Sequence, residues 1–566
     1  MKRPPQPLRV GPSLTPRHAP GHTPHPASRI ALPRARAWMM HAAIASVFML
    51  IAGQTMRLAA SGNPETRLSR AEPISHMFVR PDIVDRRGNL IATDVDAASL
   101  FADPAIIRDA DDAAERLAAL FPDLNARDLR PILADKSRRF AWIKRSLTPI
   151  EAQRAHDLGI PGLAFRREPR RVYPTRFLTS NIVGQVDVDN RGISGIERHI
   201  DDIGGTESVP APTPSHKPSV RLSIDLGVQN AISETLGHAM GQFEAQAAAA
   251  VLMDVDSGEV IASVSLPDHD PARFKDADDD DRIDRITNGV YELGSIAKIM
   301  TLGLALDDLG ATPNRIYDTR EPLRFARHTI AEKYPPGRPI TLAEILIRSS
   351  NVGAGMIAQE AGIARQRAYL DRLGMLESIR TEAGPVAKPL LPGNWGPLES
   401  VTISYGHGLA VAPLQFAAVA ASLVNGGVKI RPTFIKQDTV PRGEARVVSP
   451  ETSAAIRDAL RRVVTESQGT GRRAELAGYE ISGKTGTAEM PGRGGYKSKT
   501  VISSFLAALP ASAPRYVFLV SLFAPQGVEE TKGKITAGLN AAPTAARIVA
   551  RIGPMLDLIP AAPGAR

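Results

Sequence analysis

Residues 291–306 read YELGSIAKIMTLGLAL. Ser295 and Lys298 stand at the head of a run that is otherwise apolar. On a helix, residues three apart share a face, so the two side chains point the same way. Entry through Gly294 puts Ser295 in the first turn, where the helix macrodipole favours developing negative charge. A lysine among apolar groups loses solvation, which lowers its pKa toward the neutral amine. A serine hydroxyl is a poor nucleophile until a base takes its proton. Ser-x-x-Lys is therefore a candidate nucleophile–base pair that needs no histidine. The same residues also suit a plain helix start whose lysine reaches back to water.

Two later segments weigh against the plainer reading. Residues 349–351 are Ser-Ser-Asn, closing the stretch TLAEILIRSS. Residues two apart do not share a helix face, so the triplet is expected to leave the helix as a loop, with Ser349 and Asn351 facing a cleft. Residues 482–489 read SGKTGTAE. Strand alternation puts Thr485 and Thr487 on one face. Gly486 has no side chain, so a substrate backbone can come close there. Lys484 offers a fixed positive charge to an anionic substrate. Taken singly, these segments also read as a polar helix end and a Gly-containing turn.

The rest of the chain frames these motifs. It has 566 residues and a net charge of +9, with 43% hydrophobic residues, enough for several domains and a large core. Lys2, Arg3, Arg9, Arg17, Arg29, Arg34 and Arg36 hold most of that charge in a stretch without an acidic residue. The folded remainder is close to neutral, which argues against a nucleic-acid partner. There is no cysteine, so disulfides, thiolate catalysis and Cys-based zinc sites are excluded. Residues 37–56, AWMMHAAIASVFMLIAGQTM, carry no Lys, Arg, Asp or Glu and match the length of a membrane-crossing helix. The basic tail before them places the N-terminus in the cytoplasm and the chain beyond Arg57 outside it.

After the span, RPDIVDRRGNLIATDV (80–95) reads as a hairpin turning at Arg87-Gly88-Asn89. Residues 104–160 carry helical periodicity. SVPAPTPSHKP (208–218) reads as a break or extended loop. Beyond Val220 the chain alternates strand pairs at both ends with a helical middle, so one sheet is expected to draw strands from both ends of the segment. DADDDDRID (276–284) lacks the Gly and terminal Glu of a calcium loop and reads as a solvated acidic loop.

In order, Ser-x-x-Lys, Ser-x-Asn and Lys-Thr-Gly form a specific set. With YELGSIAK, RSSNVG, GHGLAVAPLQFAAVAASLVNGG and SGKTGTAE, the chain resembles the class B penicillin-binding proteins, and among them the septal, FtsI type. The resemblance implies an α+β fold: an antiparallel sheet flanked by helices, with a helical subdomain, on an α+β pedestal. It divides the chain into a tail (1–36), a transmembrane helix (37–57), a pedestal (58–219) and a transpeptidase domain (220–560). It implies Ser295, Lys298, Ser349 and Lys484 as catalytic residues, and Asn351, Thr485, Gly486 and Thr487 as substrate-binding ones. No metal or organic cofactor is required. The implied ligands are peptidoglycan stem peptides and β-lactams; the implied partners are the glycan polymerase FtsW and other division proteins, at the inner membrane of the septum. An elongation-type transpeptidase, a membrane-bound β-lactam hydrolase or sensor, and a division scaffold with a decayed site are the alternatives. His407 lies between the glycines of GHG, but the lysine pair already fills the role of base.

Overall fold

The computed structural model describes residues 34–60, 76–204, 207–210, 218–325, 328–332, 334–439, 445–492, 495–558 and 560. They fall in two units, one ending at Ser75 and one beginning at His76. The first unit contributes helix α1 (Arg34–Ala60). Within it, Trp38–Arg57 is long and apolar enough to cross a bilayer, with a mean hydropathy of 1.4. The helix begins at Arg34, inside what the sequence assigns to the tail, because arginine is a good helix former. The rest of that tail, and the connector after the span, lie outside the described residues.

The second unit opens with strand β1 (His76–Val79), then the expected hairpin of β2 (Ile83–Val84) and β3 (Leu90–Ala102). Asp85 shapes the hairpin turn: its carboxylate accepts from Arg87 N and Asn89 N, each at 2.8 Å. The helical expectation for residues 104–160 holds for α2 (Ala110–Leu120), α3 (Ala126–Ala134) and α4 (Pro149–Asp157). It fails at β4 (Ala141–Leu147), which pairs with β3. There Ala141, Ile143 and Leu147 are buried at even spacing, a period-two pattern hidden between two helical ones. Strand β5 (Leu163–Val172) also pairs with β3, and helix α5 (Gly195–Asp202) comes next. Strand β6 (Glu207–Pro210) pairs with β1, so the Pro-rich stretch begins as strand rather than loop. Pro210 stands at the strand's last position, where a missing N–H is tolerated; residues 211–217 lie outside the described residues.

A buried ion network ties these pieces together. Glu197 of α5 takes Arg80 Nε at 2.8 Å on one oxygen and Arg171 Nε at 2.7 Å on the other. Arg171 also reaches Asp94 at 3.1 Å, and Arg80 reaches Asp201 at 2.6 Å.

Short β7 (Val220–Arg221) leads into α6 (Leu226–Gln242). An antiparallel sheet then forms from β8 (Ala247–Asp254), β9 (Val260–Leu266), β10 (Ser482–Gly492), β11 (Gly495–Leu509) and β12 (Tyr516–Phe523). Their spatial order is β10-β11-β12-β8-β9, so the strands do come from both ends of the segment, as expected. Alternation along β8 sends Ala248, Ala250 and Leu252 to one face, under α6 and α13 (Ala541–Ile552). Val251 and Met253 go to the other, under the helical middle: α7 (Lys298–Asp307), α8 (Leu342–Arg348), α9 (Asn351–Arg372), α10 (Pro397–Ser404), α11 (Pro413–Val424) and α12 (Pro450–Thr465). The edge strand β10 is thereby left beside the turn that carries Ser295. Most of the acidic loop is solvated as expected, but Asp284 is buried, with its carboxylate accepting from Ile286 N at 2.9 Å.

Candidate active site

The three motif segments meet. Ser295 sits in a 3₁₀ turn (Gly294–Ala297) that runs into α7 at Lys298. In that winding, side chains three apart eclipse, and Lys298 Nζ lies 2.7 Å from Ser295 Oγ. Lys298 is also 2.7 Å from Asn351 Oδ1, 3.1 Å from the Ser349 carbonyl and 3.2 Å from Ser349 Oγ. It is buried, and burial brings its pKa down to about 7. The Asn351 and Ser349 carbonyl oxygens can only accept. In the neutral amine they take its two N–H groups, and the lone pair is left for the Ser295 hydroxyl.

The Ser349-Ser350-Asn351 triplet is a break between two helices. Ser349 caps α8 in a left-handed conformation, φ 64° and ψ 42°. Ser350 is the N-cap of α9, accepting from Gly353 N at 2.8 Å. Asn351 therefore opens a new helix instead of lying in a loop. The sharp reversal is what turns both Ser349 and Asn351 toward Lys298.

Strand β10 supplies the third segment. Lys484 Nζ lies 3.0 Å from Ser349 Oγ and 2.9 Å from the Thr485 carbonyl. Lys484 is fully buried, and desolvation, reinforced by Lys298, pushes its pKa well below the usual lysine value. The fixed charge expected of Lys484 is thus an amine whose proton depends on its surroundings. Gly486 is required by a close approach, but that of the protein itself: a Cβ there would lie 2.4 Å from the Leu293 carbonyl and 3.0 Å from Ile296 Cγ2. Thr485 and Thr487 share a face, as alternation predicts. Thr485 donates to Thr470 Oγ1 at 2.7 Å, and Thr487 Oγ1 accepts from Ala537 N at 3.2 Å.

Sequence reasoning missed several neighbours. Thr470 extends the row of hydroxyls. The Tyr405 ring lies 5.8 Å from Lys298 Nζ, and burial pushes its phenol up to about 12. Glu332 accepts from the Ser350 hydroxyl and from Val352 N. Glu292 holds the GHG loop, accepting from Gly408 N at 2.7 Å and lying 3.2 Å from His407 Nδ1. Thr470, Tyr405 and Glu332 lie in none of the motifs, and only tertiary packing joins them to the site; Glu292 lies in YELGSIAK, three residues before Ser295. A separate cleft of about 870 Å³, lined by Ser180, Arg198, His269 and Arg380 among others, contains none of the motif residues.

Residues 248–549 match the family described as penicillin binding protein transpeptidase domain. The chain belongs to that family. Residues 79–203 match the penicillin-binding protein dimerisation domain, so the β3–β5 layer is the pedestal that accompanies transpeptidase domains in this family. The chain is 34% identical over 493 residues to the probable peptidoglycan D,D-transpeptidase FtsI of Caulobacter vibrioides, covering 85% of this chain and 82% of that one. It is 29% identical over 486 residues to the peptidoglycan D,D-transpeptidase FtsI of Escherichia coli, covering 80% and 81%. Among solved structures, penicillin binding protein 3 of Mycobacterium tuberculosis in complex with aztreonam shares the fold. Its TM-score is 0.65 at 23% identity, over 86% of this chain and 98% of that one.

Proposed function

We propose that this transpeptidase is a membrane-anchored, septal serine D,D-transpeptidase that cross-links peptidoglycan stem peptides through a Ser295 acyl-enzyme. The observation that carries the reading is the buried Lys298 amine, 2.7 Å from Ser295 Oγ with two carbonyl oxygens placed to take its N–H groups. The FtsI names of the relatives support the septal role.

Lys298 takes the Ser295 proton as Oγ attacks the carbonyl of the penultimate D-alanine. The developing oxyanion is held by the backbone N–H groups of Ser295 and Thr487, where one donor is worth about 3 kcal/mol of barrier. The C–N bond to the terminal D-alanine breaks, and the proton passes from Lys298 through Ser349, beside Lys484, to the leaving amine. Lys484, Thr485 and Thr487 hold the substrate's terminal carboxylate, whose charge restores the Lys484 proton. Asn351 bonds the substrate amide, and Gly486 lets the strand carrying these groups lie against the nucleophile's turn. An amine of a neighbouring stem peptide then attacks the ester, forming the cross-link amide and freeing Ser295. A β-lactam acylates the same oxygen.

Helix α1 anchors the chain in the inner membrane with its N-terminus in the cytoplasm and the catalytic unit in the periplasm, which raises its effective concentration at a membrane-proximal polymer. FtsW and other division proteins are the partners in this reading. The test is to treat the full chain in detergent with fluorescent penicillin and map the adduct by mass spectrometry. A long-lived adduct on Ser295, absent in Ser295→Ala, is expected. A different labelled residue overturns the assignment, and rapid turnover of the adduct points to a hydrolase.

A further inference from the structure

Glu332 belongs to none of the three motifs. It lies just past the short strand His328–Ile330 and reaches the triplet from outside. One carboxylate oxygen accepts from the Ser350 hydroxyl and from Val352 N at 3.1 Å, and Ser350 Oγ accepts in turn from Gly353 N at 2.8 Å. The carboxylate thus binds the middle residue of the triplet and an N–H of the first turn of α9. That turn has reason to be held. Ser349 is left-handed, a strained conformation for a non-glycine residue. Yet its carbonyl and hydroxyl, together with the Asn351 oxygen, must all converge on Lys298.

The second observation is electrostatic. Lys298 faces Lys484 across Ser349 Oγ and the Tyr405 ring from the side. Among the described residues, Glu332 is the carboxylate whose charge acts on Lys298, and it opposes desolvation. A base is most effective when its pKa lies near the working pH, because a lower one leaves it available but weak.

We propose that Glu332 is a positioning residue for acylation: its carboxylate fixes the Ser349-Ser350-Asn351 turn against Lys298 and supplies a negative charge on the Lys298 side of the site. The proposal rests on the acyl-enzyme reading above, with Lys298 as base.

The experiment measures acylation of the full chain by fluorescent penicillin at pH values bracketing the Lys298 pKa of about 7, for wild type, Glu332→Gln and Glu332→Ala. Glutamine keeps an oxygen for Ser350 and Val352 but removes the charge. Its rising limb should move to lower pH by about one unit, with the plateau lowered no more than a few-fold and the melting temperature unchanged. Alanine also removes the acceptor, and its plateau should fall about tenfold. A purely structural role would not move the midpoint. A Glu332→Gln profile superimposed on wild type overturns the proposal, as does an undiminished Glu332→Ala plateau. If the alanine variant does not fold, the glutamine profile decides alone. A wild type that is not acylated at all defeats the transpeptidase reading itself, a result distinct from either.

Discussion

Lys298 and Lys484 end on one hydroxyl: their Nζ atoms lie 3.2 and 3.0 Å from Ser349 Oγ. Two ammonium groups sharing a buried hydroxyl would repel, and burial lowers both pKa values instead. In the proposed mechanism Ser349 carries the proton between the two amines. Ser349→Ala should lower the acylation rate by about 10²-fold or more, the usual contribution of a placed proton-transfer group. Stopped-flow with a chromogenic cephalosporin measures this, and a wild-type rate would remove Ser349 from the mechanism.

The pH dependence originates in Lys298. Its free base is the active form, so acylation should rise through about pH 7 and level off above it. Lys298→Arg keeps a cation that does not deprotonate, and should lose at least about 10²-fold with no rising limb. The folding equilibrium carries a related signature. Lys298 titrates near 10.5 when unfolded and near 7 when folded, so in that window the unfolded chain binds more protons. Stability should therefore rise with pH across it. Denaturant midpoints measured along the series check the sign, and Lys298→Met should flatten the slope.

Gly406 secures the nucleophile's turn from behind. Its φ is +92°, and a Cβ there would lie 2.0 Å from the Gly294 carbonyl oxygen. Gly406→Ala should displace Gly294 and Ser295 together, cutting acylation by about tenfold or more while the chain remains folded. Circular dichroism alongside the penicillin assay separates the two effects.

In the pedestal, Glu197→Ala should destabilise by about 3 kcal/mol, because it takes one carboxylate from each of two buried guanidinium groups, leaving Arg80 with Asp201 and Arg171 with Asp94. Chemical denaturation reads the loss. The acylation rate of the folded fraction should stay at the wild-type value, since no catalytic side chain touches this network.

That the motif residues would gather at one place was legible, because the chemistry they suggest constrains residue type and spacing together. A lysine three residues after a serine and the alternation of Thr485 and Thr487 each imply a geometry that local structure enforces, whereas the Ser349-Ser350-Asn351 turn proved to be a break between two helices rather than a loop. Glu332, Thr470 and Tyr405 carry no such local signature; each reaches the site from a distant part of the sequence. The strand pairs of the central sheet were legible from their apolar runs. Strand β4 was not, because its short alternation is bracketed by α3 and α4. The charge on Lys484 was misjudged because burial is a tertiary property: the same residue on an exposed strand would be the fixed cation that the sequence suggests.

The order of strands has a consequence for how the protein comes into being. Strand β12 lies between β11 and β8, so the last strand to leave the ribosome fills the middle of the sheet. Until residues 516–523 have been synthesised, the β8–β9 pair and the β10–β11 pair each lack a partner on the edge that β12 will fill. Between the synthesis of β8 and that of β12 the nascent chain must carry an unpaired apolar edge, a condition that invites aggregation and rewards a chaperone. A chain cut short just before Tyr516 would lack the strand that joins its two halves, however complete its catalytic motifs.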